Sequence, residues 1–276
     1  MTRILRSPKG LVGFAILLLV FAAALGADHI APFDPLFQNL RERLAPPSWL
    51  GGAGGHLLGA DQVGRDILSR IVYGSRISIL VGLSAVALSG MLGTFIGLIA
   101  GFYGGLLGAT LMRIADIKLA MPMILFAIAW IAFFGAGLVS VIVVIGVWGW
   151  VPYARYARGM VLYLREAPFV QASIAMGAGN GSLMFRHIAP NLIGPIIVLA
   201  TLQLGEAVLL ESVLSFLGVG VQPPTPTWGS MVADGRSYVD TAWWAVTFPG
   251  IAITIFVLGS NFLGDAMRDV LDPRAT

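Results

Sequence analysis

The sequence contains no cysteine, only two lysines and few charges of either sign. Without cysteine there is no disulfide bond, no thiolate nucleophile and no zinc site with cysteine ligands. Neither Lys9 nor Lys118 ends the glycine-rich pattern that wraps phosphates in a P-loop, which excludes a nucleotide site of that kind. The three histidines, His29, His56 and His187, lie far apart in the sequence and form no HExxH pair.

Charged residues make up 11% of the 276 residues, whereas about 25% is typical of a soluble domain. Hydrophobic residues make up 57%, and the mean hydropathy is +0.87. A chain with so few charges cannot cover its surface with groups that water solvates, so the composition indicates an integral protein of a lipid bilayer. The net charge of +3 comes from loop arginines and requires no nucleic-acid partner.

Charge-free stretches define the predicted membrane spans, because a span needs about 20 apolar residues. Such stretches fall at roughly 10–27, 77–101, 119–154, 192–214 and 243–264. The third stretch would be about 54 Å long as one helix, too long for a single crossing. We divide it at Gly135-Ala136-Gly137 into 119–135 and 138–154. The sequence therefore predicts an all-α membrane protein with six transmembrane helices.

The distribution of basic residues predicts the orientation of these helices. An even number of spans puts both termini on one side, together with the loops 102–118 and 155–191. That side collects eleven basic residues and the opposite side six. Because basic residues are retained inside, we predict that both termini are cytoplasmic. The first span also resembles a signal peptide, but its length of about 18 residues favours an uncleaved anchor.

We divide the chain at residue 76. Residues 1–76 are expected to form an anchor helix and an external segment, and residues 77–276 a transmembrane core. In the external segment, Asp61 precedes Arg65 and Asp66 precedes Arg70 by four residues, which is a stabilising order on a helix. This spacing predicts a surface helix with two ion pairs, and docking of a partner protein there is the alternative.

The loop at about 155–191 contains an unusual polar segment, FVQASIAMGAGNGSLMFRHIAPN. A short helix over 166–176 is expected to end at glycines that permit a sharp turn, at positions 177, 179 and 181. Ser182 is a candidate N-cap for a second helix through His187, and Pro190 is expected to end that helix. We call residues 166–190 the elbow. Such an elbow can transmit motion from a soluble partner, or it can be a structured connection without a partner.

The elbow resembles the cytoplasmic EAA loop of the permease subunits of binding-protein-dependent ABC importers. Gln171-Ala172-Ser173 takes the place of Glu-Ala-Ala, Gly177 follows at the expected spacing, and Ile188-Ala189-Pro190 closes the pattern. Glutamine replaces the acidic residue and serine the second alanine. These departures favour a hydrogen-bonded contact at residue 171 over one that needs a formal negative charge.

Three more segments resemble the dipeptide/oligopeptide-type members of these permeases. They are LGADQVGRDILSR at 58–70, SFLGVGVQPPTPTWG at 215–229 and GDAMRDVLDPR at 264–274. The four segments occur in the expected order and cover nearly the whole chain. The resemblance implies a type I ABC importer permease fold in the bacterial cytoplasmic (inner) membrane, and half of a translocation pathway for di- or oligopeptides.

The same resemblance implies a set of partners. These are a sibling permease subunit, two ATPase subunits and an extracytoplasmic solute-binding protein. ATP and Mg would be bound by the ATPase subunits, so this chain would hold no cofactor or metal and catalyse no reaction. Import of nickel or another small solute by the same architecture is one alternative. A stand-alone secondary transporter is an alternative from a different class, although no internal repeat is visible.

Two groups of residues are candidates for function. The resemblance assigns coupling to the ATPase to the elbow residues Gln171, Ala172, Ser173, Gly177, Arg186, His187 and Pro190. The fifth span carries three polar residues, Gln203, Glu206 and Glu211, and such residues in a membrane usually face the bundle interior or water. They are expected to line the translocation pathway or its gate, and hydrogen bonding between helices is the alternative.

Overall fold

The structure is a computed structural model that describes residues 7–52 and 54–271. Helices form nearly all of the regular structure in these residues. In chain order they are α1 (Pro8–Leu25), α2 (Ala27–Ile30), α3 (Ile67–Tyr103), α4 (Gly105–Ala120), α5 (Met123–Phe134), α6 (Leu138–Trp148), α7 (Trp150–Arg165), α8 (Pro168–Ala175), α9 (Asn180–Ser182), α10 (Ala189–Phe216), α11 (Trp228–Gly235) and α12 (Trp244–Leu271). A π-helix, Leu183–Ile188, joins α9 to α10.

Five helical segments are long and apolar enough to cross a membrane: Pro8–Leu25, Ile67–Tyr103, Leu138–Arg165, Asn180–Phe216 and Trp244–Val270. The helices α4 and α5 provide a sixth if they are counted as one broken span, with a bend of 92° between them. The break falls at Met121, which is extended because it precedes Pro122. The prediction of an all-α protein with six transmembrane helices is confirmed, and the third is the broken one.

Two predicted boundaries differ from the structure. Residues 105–118, predicted to belong to a loop, are helical and form most of α4, which begins at a tight turn where Gly104 and Gly105 have φ of 62° and 52°. The second span, predicted over 77–101, belongs to a helix that starts ten residues earlier. Its N-cap is Asp66, whose carboxylate accepts a hydrogen bond from the backbone N–H of Ser69 at 2.7 Å. The helix α3 thus runs unbroken past residue 76.

The central contact of the bundle joins α3 to α7. The face of α3 that meets α7 carries glycines at positions 90, 93, 97 and 101. A Cβ atom at Gly97 would collide with the carbonyl oxygen of Ala154, and one at Gly101 would lie 2.7 Å from Cβ of Val161. The two backbones therefore approach as closely as they do in membrane helix pairs with small residues at the interface.

The two long connecting segments, residues 26–66 and 217–243, lie together at one end of the bundle. This follows from the direction of the helices, since α3 and α12 begin at this end and α10 ends there. Indole groups link the segments to the helices. Nε1 of Trp228 donates to the carbonyl oxygen of Ile71 at 2.9 Å, and Nε1 of Trp244 donates to that of Ala60 at 3.3 Å. The elbow lies at the opposite end, between α7 and α10.

We expect Gly97→Ala to lower the free energy of unfolding by about 2 kcal/mol, because its methyl group has no space against the α7 backbone. The matched control is Gly159→Ala on α7, where an added Cβ meets no atom within 4 Å. That change should be neutral or slightly stabilising, since alanine favours helix more than glycine. Thermal unfolding of the purified protein in detergent measures both. Equal effects of the two substitutions would contradict the proposed close contact.

Candidate functional site

The elbow begins with α8, which ends in a glycine turn. The backbone N–H of Gly177 donates to the carbonyl oxygen of Ile174 at 2.9 Å. The backbone N–H of Ala178 donates to the carbonyl oxygen of Ser173 at 3.0 Å. These two bonds form a Schellman motif, which requires a left-handed residue at the position of Gly177. Its φ is 81°. The predicted short helix and its glycine stop are thus confirmed, with the helix running from Pro168 to Ala175.

The second half of the elbow differs from the prediction. Ser182 is not an N-cap but lies inside the helical stretch, and Pro190 does not end the helix. A π-helix over Leu183–Ile188 continues directly into α10, and the backbone N–H of Ala189 donates to the carbonyl oxygen of Met184, five residues back. Pro190 stands in the first turn of α10, where a proline is tolerated. The elbow is therefore fused to the long helix that follows it.

The predicted coupling residues divide into an outer and an inner set. Five are exposed on the surface of the elbow: Gln171, Ala172, Gly177, Arg186 and Pro190. Ser173 is buried, and its hydroxyl donates to the carbonyl oxygen of Phe169 at 2.8 Å. His187 is half-buried. The structure thus brings these residues into one elbow but gives Ser173 an internal contact.

Gln171 closes the junction between α7 and α8. Its side-chain Nε2 donates to the carbonyl oxygen of Arg165, the last residue of α7, at 2.7 Å. A glutamate at this position could not make the same bond, because a carboxylate has no hydrogen to donate. The departure from the acidic pattern therefore has a local structural use in this chain.

The elbow combines a buried apolar base with an exposed apolar surface. Val170, Leu183 and Ile188 pack with Leu98 of α3 and Leu164 of α7 in one apolar cluster. On the opposite side, large apolar side chains are exposed beside the coupling residues: Phe169, Ile174, Met176 and Phe185. The base fixes the elbow to two membrane helices, while the surface is suited to contact with another protein.

A second candidate site is an open cavity of about 180 Å³ bordered by α3, α4, α6, α7 and α10, which we call the central cavity. Its polar and aromatic lining includes Ser89, Lys118, Trp148, Tyr153, Gln203 and Glu206. Ser89, Gln203 and Glu206 lie near the midpoints of α3 and α10. Of the three polar residues predicted for a pathway in the fifth span, the cavity brings Gln203 and Glu206 together.

Lys118 is a site residue that the sequence reasoning missed. It belongs to the predicted loop 102–118, but the structure places it in α4, with its Nζ 4.0 Å from the ring centroid of Trp148. The ammonium of Lys118 and the carboxylate of Glu206 are near enough to attract each other electrostatically. The available signal was that Lys118 adjoins an apolar stretch with no helix breaker before Pro122.

Glu211 has a different environment from Glu206. It is completely buried, and its carboxylate accepts hydrogen bonds from the hydroxyls of Ser215 at 2.8 Å and Ser78 at 3.4 Å. The Ser78 oxygen also accepts from the backbone N–H of Trp228 at 3.3 Å. Glu211 thus connects α10 to α3 and to the start of α11. This geometry agrees with the alternative of hydrogen bonding between helices.

A cluster of ionic groups lies at the start of α3, and its pairing differs from the prediction. Nε of Arg65 is 2.7 Å from the Asp61 carboxylate, as expected, but Arg70 also pairs with Asp61 and not with Asp66. Asp66 caps α3 and contacts Nδ1 of His56 at 2.9 Å. These groups are buried, so the prediction of a surface helix is wrong. Gly64, with φ of 77°, keeps residues 60–66 in a turn.

The charges of this cluster hold Asp61 in its ionised form. Burial alone would raise the pKa of Asp61, but the charges of Arg70 and Arg65 and two backbone hydrogen bonds lower it below its ordinary value of 3.8. Arg65 and Arg70 also reach Asp234 of α11, at 3.6 and 3.7 Å. The cluster therefore fastens the segment 26–66 to α3 and α11.

Comparison with known proteins decides the family. A family model described as "Binding-protein-dependent transport system inner membrane component" matches residues 93–276, more than half of the chain. The chain belongs to this family. A second model, "N-terminal TM domain of oligopeptide transport permease C", matches residues 1–47 of the permease. The chain is accordingly a permease component of an ABC importer in the bacterial inner membrane, separate from the subunits that hydrolyse ATP.

Relatives resemble the permease over most of its length. The "Di/tripeptide transport system permease protein DppC" of Pseudomonas aeruginosa is 44% identical, over 95% of this chain and 87% of that protein. The "Dipeptide transport system permease protein DppC" of Escherichia coli is also 44% identical, over 98% of this chain and 90% of that protein. The "Probable D,D-dipeptide transport system permease protein DdpC" of the same species is 40% identical, over 98% of this chain and 89% of that protein.

One solved structure supports the fold of the permease. It is the MetNI methionine ABC transporter in an inward facing conformation, with a TM-score of 0.58. The similarity covers 73% of this chain and 96% of that chain at 22% identity, so it concerns the fold alone. Among the residues described for the permease, no group of three or more His, Asp or Glu side chains is arranged to hold a metal ion.

We expect Asp61→Asn to lower the free energy of unfolding by about 3 kcal/mol, because it leaves Arg65 and Arg70 without their buried partner. The pKa of Asp61 lies below 3.8 in the folded chain, so its contribution is present above that pH and lost as the pH falls further. The difference between wild type and variant should therefore be constant from about pH 7 to about pH 5 and shrink below about pH 4.

Thermal unfolding in detergent across this pH range measures the effect. Asp240→Asn is the matched control, since Asp240 is exposed in the same connecting region as α11. An Asp61→Asn difference that grows on acidification would contradict the assigned ion pairs.

Proposed function

We propose that this permease forms half of the translocation pathway of an importer for di- or oligopeptides. The observation that carries the proposal is the near full-length similarity, at 40–44% identity, to permeases named for dipeptide transport. The segments at 215–229 and 264–274, which carry part of the resemblance in the sequence, lie within the residues 93–276 that the family model matches. The other half of the pathway would come from a sibling permease subunit.

The proposed orientation places both termini and the elbow on the cytoplasmic side. The segments 26–66 and 217–243 then face outward, where a solute-binding protein would deliver the peptide. Residues 1–76 would supply the anchor and part of this external surface, and residues 77–276 the translocating core with its loop at about 155–191. The excess of basic residues at the elbow end of the bundle supports this orientation.

The elbow is proposed to dock onto an ATPase subunit, which would bind ATP and Mg. Ala172 and Gly177 are small and exposed, so a partner surface can approach the backbone closely. Phe169, Ile174 and Met176 add exposed apolar area beside them, and Arg186 and His187 add polar contacts. Because Pro190 lies in a helix that continues from the elbow into α10, movement of the ATPase would pass directly to a membrane helix.

The fifth span is proposed to contribute to both the pathway and its outer gate. Gln203 and Glu206 would line the pathway, since both line the central cavity. Glu211 would act at the gate, because its hydrogen bonds join α10 to α3 and, through Ser78, to the segment 217–243. A separate binding protein would hold most of the selectivity for the solute.

The proposal is tested by co-expression of the chain with the neighbouring genes of its operon, purification through a tag on this chain, and mass spectrometry of the complex. We expect two ATPase subunits and a second permease to co-purify. Proteoliposomes that contain the complex should take up a radiolabelled dipeptide only with ATP and the binding protein. Uptake by the isolated chain, or nucleotide hydrolysis by it, would contradict the proposal.

We expect Gly177→Ala to reduce both ATP-driven uptake and the stimulation of ATP hydrolysis by loaded binding protein. The left-handed backbone at residue 177 costs an alanine about 1 kcal/mol, so the elbow would change shape. Gly179→Ala is the matched control, because both positions leave open space around an added Cβ and only Gly177 has a positive φ. Equal activity of the two variants would show that the shape of this turn is not needed for coupling.

A further inference from the structure

Two side chains of opposite charge line the central cavity and are not in direct contact with each other. Lys118 extends from α4 and Glu206 from α10, and both line the cavity. Within the described part of the chain, neither takes part in an ion pair. Charges at the depth of a membrane are costly unless they meet a partner or water, and such residues commonly mark a path for polar solutes.

The surroundings of Lys118 hold its ammonium in place. The Nζ atom lies 4.0 Å from the centroid of the Trp148 ring, within the range of a cation–π interaction. Trp148 belongs to α6 and also lines the cavity. An aromatic ring orients the cation but leaves N–H donors that point away from the ring free for an anion, since a ring face accepts no strong hydrogen bond.

A third polar group in the cavity is unsatisfied. Tyr153 is fully buried, lines the cavity, and its hydroxyl has no hydrogen-bond partner. Buried hydroxyls are rarely left unpaired. The ring itself is fixed against α3, where it packs 3.5 Å from the position of a Cβ at Gly90. The ring is therefore held at the wall of the cavity by the α3–α7 pair.

We infer that the central cavity is a binding site for the charged backbone of a peptide in transit, and this inference rests on the proposed peptide transport. Lys118 meets the terminal carboxylate, and Glu206 meets the terminal ammonium. A free peptide carries both end charges whatever its side chains are. Groups that recognise the ends therefore select peptides as a class and tolerate different sequences.

The size of the cavity agrees with this assignment. Its volume is about 180 Å³, and Glu206 at its margin is exposed. The two charged ends of a dipeptide would meet Lys118 and Glu206 there. The side chains would extend into the half of the pathway that the sibling permease supplies.

The inference is tested in proteoliposomes that contain the complete complex with its binding protein, and alanyl-alanine is the transported probe. Lys118→Met and Glu206→Gln remove one charge each and keep the approximate length of the side chain. Arg113→Met is the matched control, because Arg113 is exposed on α4 and does not line the cavity. Lys118→Arg retains the positive charge. Uptake and ATP hydrolysis stimulated by loaded binding protein are measured for each variant.

We expect uptake to fall about tenfold or more in Lys118→Met and in Glu206→Gln, which is the loss expected for one hydrogen bond to a charged group. Stimulated ATP hydrolysis should stay within about twofold of wild type, because the elbow and the external surface are unchanged. Lys118→Arg should recover most of the uptake, and Arg113→Met should behave as wild type.

Three results would overturn the inference. Unchanged uptake in both charge-removing variants would show that the peptide does not use these groups. A parallel loss of uptake and stimulated hydrolysis, with intact assembly on size-exclusion chromatography, would assign the residues a structural role. The third result is that the wild-type complex imports another solute and not the dipeptide. This result would contradict the proposed function as well, whereas the first two results would contradict the inference alone.

Discussion

The close approach of α3 and α7 is the contact on which the other parts of this structure depend. It needs glycine at Gly97 and Gly101, because a single added carbon would push the backbones apart. Hydrocarbon provides little driving force between helices, so tight van der Waals packing has to hold the pair together. Tyr153 in the central cavity and Leu164 at the base of the elbow both belong to α7. Their positions relative to α3 are therefore set by the glycine face.

The end of the bundle that carries the segments 26–66 and 217–243 is held by ionic and hydrogen-bonded groups rather than by small residues. Asp61 with its two arginines ties the segment 26–66 to α3 and α11, and Glu211 ties α10 to α3 and α11. Such groups are costly to bury, and they hold one arrangement only when nearly all partners are satisfied. Polar bonds at one end and close backbone packing in the middle leave the central cavity between two fixed regions.

The sequence predicts the number of spans and the glycine turn of the elbow, because both depend on local patterns. Apolar stretches report membrane helices directly, and Gly177 occupies a conformation that few other residues adopt. The wrong predictions concern long-range choices. Arg70 lies at helical spacing from Asp66 but pairs with Asp61, since Asp66 is used as a helix cap. The charge of Lys118 predicts the end of a loop, whereas in the structure an aromatic ring accommodates it within a helix bundle.

The π-helix between the elbow and α10 has a further consequence. Each residue of an α-helix turns the chain by about 100°. A wider turn with one extra residue therefore resets the angle at which every later side chain projects. In this chain the angular phase of α10, and with it the direction of Gln203 and Glu206, is decided at Leu183–Ile188, several turns away. Conversion of this π-helical turn to an α-helical turn would rotate both side chains about the axis of α10 by the same angle.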